Sequence, residues 1–183
     1  MSGIKLVNES CINQNVDAVV NAANRYLMSG AGVCGAIFSK AGYVELNEAC
    51  RKYEVPLKDG EVVITPAFNI QNVKYIIHAV GPDFGVNPNA FDELFRAYYN
   101  SLMVLMENGL HSIAFPLISS GIFGGSLENA VGESVSQCIK AYRKFVEMYD
   151  NYEINVTVCA FTLDEMVECK KVFEREGIEI WES

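Results

Sequence analysis

Two glycine-rich segments carry the residue types that can hold an anion. The first, NAANRYLMSGAGVCGAIF at residues 21–38, places Gly30, Gly32 and Gly35 in a GxGxxG spacing ahead of a helical pattern. The second, PLISSGIFGGSLENA at residues 116–130, belongs to a stretch with no charged residue between positions 112 and 127. Glycine lets backbone N–H groups approach a phosphate closely, and a helix N-terminus adds unpaired donors and a partial positive charge. A phosphate or diphosphate bound by the second segment would be held by the backbone rather than by Lys or Arg.

The apolar pattern places both segments between strands and helices. Apolar runs predict strands at residues 4–7, 17–21, 60–65, 74–79, 112–116, 154–160 and 178–181. Amphipathic patterns predict helices at residues 32–52, 90–108, 127–149 and 163–176, with Ser126 capping the third. Strands alternating with helices imply an α/β fold, a three-layer α/β/α sandwich around a mixed, mostly parallel central sheet. Ligands of such sheets bind beyond the carboxyl ends of the strands.

Length and composition bound the class of protein. The 183 residues suit one domain spanning residues 1–183, and 14 basic against 23 acidic residues give a net charge of −9. That charge argues against partners such as long nucleic acid or an anionic membrane. The six cysteines form no CxxC pair and the two histidines offer no zinc-ligand spacing. We therefore expect free thiols, no metal and a cytoplasmic location, and we expect a monomer.

The GxGxxG spacing alone also fits a NAD-binding enzyme of the Rossmann type. In that fold the strand runs almost directly into the first glycine, and an acidic residue about 20 positions further on binds a ribose. Here residues 21–29 separate the apolar run from Gly30, and the acidic candidate Glu54 ends no clear strand. A Rossmann-type enzyme is therefore the lesser alternative.

Three motifs occur in order along the chain. Residues 17–38 contain VNAAN followed by a G-x-G-V helix start, residues 75–84 read YIIHAVGPDF, and residues 114–130 read AFPLISSGIFGGSLENA. In order and spacing these motifs resemble the signatures of the macrodomain family, and the resemblance covers residues 4–175. It implies the α/β fold given above, ADP-ribose as the ligand, no additional cofactor, and ADP-ribose or ADP-ribosylated proteins as partners.

The resemblance also implies roles for individual residues. Asn24 would hydrogen-bond the distal ribose and, with Gly32, position the catalytic water. Phe123 would lie against the distal ribose, and Phe161 over the adenine, where stacking contributes about 1–3 kcal/mol. Residue type alone equally fits packing roles for both rings and a loop-holding role for Asn21. The implied ligand-binding set is Ser10, Cys11, Asn21, Asn24, Gly30, Gly32, Val33, Cys34, Ser119, Ser120, Gly121, Ile122, Phe123 and Phe161.

Two positions depart from the commonest family pattern. The hydrolytic branch has an acidic residue after the valine and a histidine at the end of that run, where this chain has Cys34 and Phe38. A general base typically contributes about 10²–10⁴-fold, so its absence matters. We expect Cys34 to be a packed thiol rather than a nucleophile. At the adenine, Ser10 stands where the family usually has Asp, and the preceding Glu9 is a candidate to replace that contact.

Two functions of different classes follow from the resemblance. The leading one is hydrolysis of Asp- or Glu-linked mono-ADP-ribosyl groups or of O-acetyl-ADP-ribose. It survives the loss of the acidic residue if a substrate phosphate activates the water, and alphavirus-type macrodomains, which remove ADP-ribose from proteins, resemble this chain in carrying G-V-C. The alternative is a non-catalytic reader of ADP-ribose. Because no Lys or Arg is expected to hold the diphosphate, we expect the affinity to depend little on salt.

Overall fold

The computed structural model describes residues 1–180, in which six strands form one central sheet between two layers of helices. The strands are β1 (Gly3–Val7), β2 (Val16–Ala23), β3 (Val62–Pro66), β4 (Val73–Val80), β5 (Ser112–Phe115) and β6 (Asn155–Cys159). The helices are α1 (Gly32–Ala41), α2 (Tyr43–Cys50), α3 (Phe91–Glu107), α4 (Ala130–Met148) and α5 (Leu163–Arg175). The three-layer α/β/α sandwich expected from the sequence is confirmed.

The sheet is mixed and mostly parallel. Its strand order is β1-β6-β5-β2-β4-β3, and only the pairing of β3 with β4 is antiparallel among residues 1–180. Five parallel strands, β1, β6, β5, β2 and β4, are therefore consecutive neighbours. Their carboxyl ends form one continuous edge, and the two glycine-rich segments follow β2 and β5 at that edge.

Both faces of the sheet are buried. Successive side chains of a strand point to opposite faces. Accordingly Ala18 and Val20 of β2 join the core under α3, α4 and α5, whereas Val19 joins the core under α1 and α2. A strand covered on both sides needs apolar residues at consecutive positions, which explains the unbroken run AVV.

The first predicted helix, residues 32–52, is in fact two helices. The chain turns at Gly42, whose φ of 109° is in a region that L-residues with side chains rarely adopt. This φ makes any substitution at position 42 strained, whereas the Glu45 carboxylate that a Cβ would meet can move aside. The apolar pattern continues through the break because α1 and α2 pack on the same core.

The predicted start of the third helix and the last strand were wrong. The helix (α4) begins at Ala130, and Asn129, not Ser126, caps it by accepting a hydrogen bond of 3.0 Å from the amide of Gly132. Ser126 lies instead in a tight turn that precedes the helix. Residues 178–180 form no strand, because Ile178 folds back and donates its amide to Phe173 of α5 at 2.9 Å. The last residue of that predicted strand, 181, lies outside the described residues.

Asp17 at the start of β2 ties together three strands at the edge opposite the glycine-rich segments. Its Oδ2 accepts hydrogen bonds from the amides of His111 at 2.8 Å and Ser112 at 3.1 Å, and its Oδ1 lies 3.5 Å from Nζ of Lys74. Burial opposes ionisation of Asp17, but these partners outweigh it and lower the pKa of the carboxyl. A carboxyl with a lowered pKa in the folded state stabilises the fold above its unfolded pKa, and this contribution is lost as the pH falls.

We therefore expect Asp17→Asn to lower the free energy of unfolding by about 1–2 kcal/mol at neutral pH. The deficit should shrink as the pH falls through the carboxyl titration range, since protonation removes the same charge from the native protein. Urea unfolding between neutral and acidic pH measures both. Asp150→Asn, an exposed position, is the control and should change little. A deficit that persists unchanged at acidic pH would contradict this role.

Candidate functional site

A cleft of about 790 Å³ opens at the carboxyl edge of β1, β6, β5 and β2. Neighbouring strands are about 4.8 Å apart, so the three steps from β1 to β2 span about 14 Å. Two segments form its walls near β2 and β5: loop 1, residues 24–31, between β2 and α1, and loop 2, residues 116–129, between β5 and α4. The segments after β1 and β6 close the other end, which we call the base end. Of the fourteen predicted ligand-binding residues, all but Asn21 line the cleft.

Asn24 shapes loop 1 with its own side chain. Its Oδ1 accepts hydrogen bonds from the amides of Tyr26 and Met28, each at 3.1 Å, and its Nδ2 donates to the carbonyl of Met28 at 2.7 Å. An Asn side chain that bonds backbone two residues ahead forms a turn of its own. Nδ2 carries two hydrogens and donates one bond within residues 1–180, so one N–H of this cleft-lining residue is left for a ligand or water.

The start of α1 presents unpaired amides to the cleft. Ala31 is the N-cap, and no side chain caps the helix. The amides of its first turn, those of Gly32, Val33 and Cys34, therefore lack an intrahelical acceptor. Gly32 has a φ of 61°, and a Cβ built there would meet nothing within 4 Å. A side chain at position 32 would therefore enter open space beside the cleft.

Loop 1 packs against α1 at a distance that only glycine permits. A Cβ on Gly35 would lie 2.5 Å from the carbonyl oxygen of Gly30. Real side chains do not tolerate such a contact with backbone, so any substitution of Gly35 must move Gly30 or the helix. The third glycine of the GxGxxG spacing therefore sets the distance between loop 1 and α1, whereas the first two line the cleft.

Loop 2 uses its side chains to hold itself and leaves backbone amides unpaired. The hydroxyl of Ser119 donates to the carbonyl of Pro82 and that of Ser120 to the carbonyl of Leu117, each at 2.7 Å. The amides of the next three residues donate to no protein group within residues 1–180. These are Gly121, Ile122 and Phe123.

The backbone of residues 84–85 supports loop 2 from behind. The amide of Phe84 donates to the carbonyl of Phe123 at 2.8 Å. Gly125, with a φ of 57°, packs so closely that a Cβ would collide with the backbone of Phe84 and Gly85. The motif GPDF at residues 81–84 thus contributes to the site by bracing loop 2, although only residues of loop 2 line the cleft at this point.

The base end combines an exposed ring with two carboxylates. Phe161 follows β6 and is 74% exposed. Glu9 and Ser10 face it from the segment after β1, and Thr162 and Glu165 from the start of α5. Thr162 and Glu165 were missed from the sequence. The T-x-x-E capping-box pattern directly after a predicted strand is the signal that would have placed them at the strand-end edge.

The cleft lining within residues 1–180 contains no Lys, Arg or His. Loop 1 carries one cationic residue, Arg25, which does not line the cleft. Its guanidinium forms a bidentate ion pair with Asp59, with both contacts at 3.1 Å. The only charged groups of the lining are therefore the carboxylates of Glu9 and Glu165, both at the base end. An anion at loops 1 and 2 would therefore meet backbone amides and neutral side chains, and no cation of the described lining; binding through the backbone stays a prediction.

Three thiols line the cleft: Cys11, Cys34 and Cys159. Burial raises the pKa of Cys11 to about 12. Burial also raises the pKa of Cys34, outweighing hydrogen bonds from Gly30 and Asn21, and its Sγ lies 3.6 Å from the carbonyl oxygen of Met28. A protonated, buried thiol is a poor nucleophile. The environment of Cys34 thus supports the expected packing role.

Asn21 lies in β2, outside the cleft lining and only 1% exposed. Its Nδ2 is 3.1 Å from Nδ1 of His78, and Nε2 of His78 is 2.9 Å from the hydroxyl of Thr65. Burial lowers the pKa of His78 to about 3, so the ring is neutral at physiological pH. Asn21 therefore belongs to a buried chain of hydrogen bonds across the sheet, and a direct contact with ligand stays a prediction.

Within residues 1–180, no group of three or more His, Cys, Asp or Glu side chains is arranged to hold a metal ion. In the same part of the chain, no helix is both long and apolar enough to cross a membrane.

Comparison with known proteins identifies the family. The Macro domain family model matches residues 20–133. A structure of the Oceanobacillus iheyensis macrodomain with ADP superimposes with a TM-score of 0.86 at 28% identity, covering 96% of this chain and 92% of that one. The chain therefore belongs to the macrodomain family.

Relatives from bacteria and mammals are also similar in sequence. The ADP-ribose glycohydrolase MACROD1 of Mus musculus is 35% identical over 86% of this chain and 47% of its own length. The O-acetyl-ADP-ribose deacetylase of Citrobacter rodentium is 44% identical over 67% of this chain and 71% of its own. A Thermotoga maritima protein is 38% identical over 94% of this chain, which spans only 28% of that relative's length.

We expect Asn24→Ala to loosen loop 1 even without ligand. The amides of Tyr26 and Met28 lose their acceptor in this variant. Each hydrogen bond contributes about 0.5–1.5 kcal/mol, so hydrogen exchange at these two amides should accelerate by about tenfold. Amide exchange followed by NMR measures this. The amide of Leu27, which donates to the backbone carbonyl of residue 24, should respond less and serves as the internal control. Unchanged exchange at all three would show that the Asn24 side chain does not hold the loop.

Proposed function

We propose that the protein binds ADP-ribose in this cleft and hydrolyses mono-ADP-ribosyl esters or O-acetyl-ADP-ribose. The observation that carries the proposal is that two rows of backbone amides without protein partners, one at the start of α1 and one in loop 2, line the same cleft. The described lining of this cleft contains no cationic side chain. Such rows bind a diphosphate through oriented N–H dipoles. The macrodomain structure with ADP and the two relatives named for ADP-ribose chemistry support the ligand and the reaction class.

The strand order suggests how the ligand would lie. Loops 1 and 2 follow the neighbouring strands β2 and β5, so the diphosphate would lie between them. The base end, about 7–12 Å further along the sheet edge at β6 and β1, would take the adenine with its ring against Phe161. The distal ribose would then lie beside Asn24, which has a side-chain N–H to donate, and Phe123, whose ring is partly exposed in the cleft.

The mechanism must work without a protein carboxylate near the distal ribose. The only carboxylates of the described lining, Glu9 and Glu165, are at the opposite end of the cleft. We propose that a phosphate oxygen of the bound ligand accepts the proton of the attacking water. Asn24 and Gly32 would position that water, Asn24 through its remaining N–H. The protein then supplies orientation and backbone donors, and the substrate supplies the base.

The second candidate is a reader that binds ADP-ribose without turnover. Its support is Cys34, a protonated thiol at the position where the hydrolytic branch of the family has an acidic residue. Both candidates require the same binding site, so binding alone cannot separate them, and turnover does.

Binding should fail when position 32 carries an anionic side chain. We expect Gly32→Glu to weaken ADP-ribose binding by about a hundredfold, because it places a carboxylate where the diphosphate would lie. Isothermal titration calorimetry measures this. Gly109→Glu is the matched control: Gly109 also has a positive φ, 68°, with nothing within 4 Å of its Cβ, and it follows α3 at the opposite edge of the sheet. Normal binding by the Gly32 variant would place the ligand elsewhere.

Turnover decides between enzyme and reader. With a substrate carrying mono-ADP-ribose on Asp or Glu, we expect the native protein to release ADP-ribose and Asn24→Ala to do so about a hundredfold more slowly, because the water and the ribose lose their positioning group. Chromatographic quantification of released ADP-ribose measures the rate, and Asn108→Ala at the end of α3 is the control. Tight binding of ADP-ribose with no release above the Asn24→Ala background would establish the reader.

A further inference from the structure

Two carboxylates at the base end have no part in the reaction proposed above. Glu9 follows β1, and Glu165 lies in the first turn of α5; both line the cleft, as does Phe161. The rest of the described lining is uncharged, so these two groups set the electrostatic character of this end of the cleft.

Hydrogen bonds within the protein hold both carboxylates in place. Oε1 of Glu165 accepts from the amides of Phe161 at 3.1 Å and Thr162 at 2.8 Å, as part of a capping box. Oε2 of Glu9 accepts from Nε2 of Gln14 at 3.2 Å. The second oxygen of each carboxylate accepts no hydrogen bond from residues 1–180. Each therefore offers an acceptor to a ligand, and neither carboxylate forms an ion pair within residues 1–180.

The field of Glu9 extends to the floor of the cleft. Burial chiefly raises the pKa of Cys159; the nearby Cys11 and Glu9 raise it further, and the cation of Lys5 opposes them. Cys159 lies at the end of β6, beneath the space in which the adenosine would lie. A negative charge on the ligand at this end would meet the same repulsion from Glu9, partly offset by Lys5.

We propose that Glu9 and Glu165 are specificity-determining residues that restrict the cleft to ADP-ribosyl groups whose adenosine ribose carries free hydroxyls. A phosphate on that ribose, as in 2′-phospho-ADP-ribose, adds about 1.5–2 negative charges. Hydroxyls donate to carboxylates, whereas a phosphate is an acceptor and is repelled by them. Nucleotide sites of the Rossmann type use the same chemistry, with an acidic residue for a free 2′-hydroxyl and Arg for a 2′-phosphate.

This inference rests on the proposed function. Titration calorimetry with two ligands distinguishes failure of the specificity assignment from failure of the proposed function. ADP-ribose tests the site itself. We expect 2′-phospho-ADP-ribose to bind the native protein about tenfold more weakly at low salt, and the difference to narrow as salt screens the charges. If ADP-ribose does not bind, the proposed function fails. If both ligands bind equally, only the specificity assignment is overturned.

Neutral isosteres identify the residues responsible. Glu9→Gln with Glu165→Gln removes both charges, and glutamine at position 165 can preserve the capping box. We expect this double variant to bind the two ligands within about threefold of each other. Glu107→Gln with Glu147→Gln makes the same change in net charge in the last turns of α3 and α4 and should keep the tenfold difference. Glu9→Gln alone, which leaves α5 untouched, should reduce the difference between the two ligands in part. An undiminished difference in the double variant would overturn the assignment.

Discussion

Backbone N–H groups without partners are the constraint on which the rest of this structure depends. A backbone donor without a protein partner must bond water or a ligand, and most residues of these two rows are exposed to the cleft, where either can reach them. Here one row begins α1 and the other follows β5. The parallel order of β5 and β2 brings the two rows to the same edge of the sheet, facing one cleft.

The polar side chains of the two loops serve that arrangement. Asn24, Ser119 and Ser120 direct their hydrogen bonds to neighbouring carbonyls and amides, which fixes each loop in one shape. Glycine is required where backbone meets backbone, at Gly35 against loop 1 and at Gly125 against residues 84–85. A diphosphate can thus be held in a protein of net charge −9 without a cation in the described lining.

Glycine spacing in the sequence predicted the two backbone-rich loops, and the family resemblance implied most of the other residues that line the cleft; their contacts with ligand stay predictions. Local patterns work for the loops because a backbone-lined site is marked by glycine. They could not predict features that depend on tertiary packing. The break at Gly42 interrupts an apolar pattern that continues in α2, and residues 178–180 pack on α5 although they read as a strand. Glu165 is distant in sequence from both loops and reaches the cleft only because β6 lies between β1 and β5. Asn21 occurs in the motif but is buried, whereas the next residue of β2, Ala22, lines the cleft. The sequence alone does not show at which residue of the motif the strand enters the cleft.

The six cysteines have a practical consequence. All are buried and unpaired, and burial raises the pKa of each. A chain with this many thiols would be expected to react readily, yet in the folded state every thiol is both shielded and protonated. The rate of alkylation of each thiol then reports how often the native structure opens around it, since a buried thiol reacts only when its surroundings separate. Alkylation of Cys138 in α4 and Cys169 in α5, both in the core, would report global unfolding. Alkylation of the three cleft-lining thiols would report movements of the cleft walls; these are Cys11, Cys34 and Cys159.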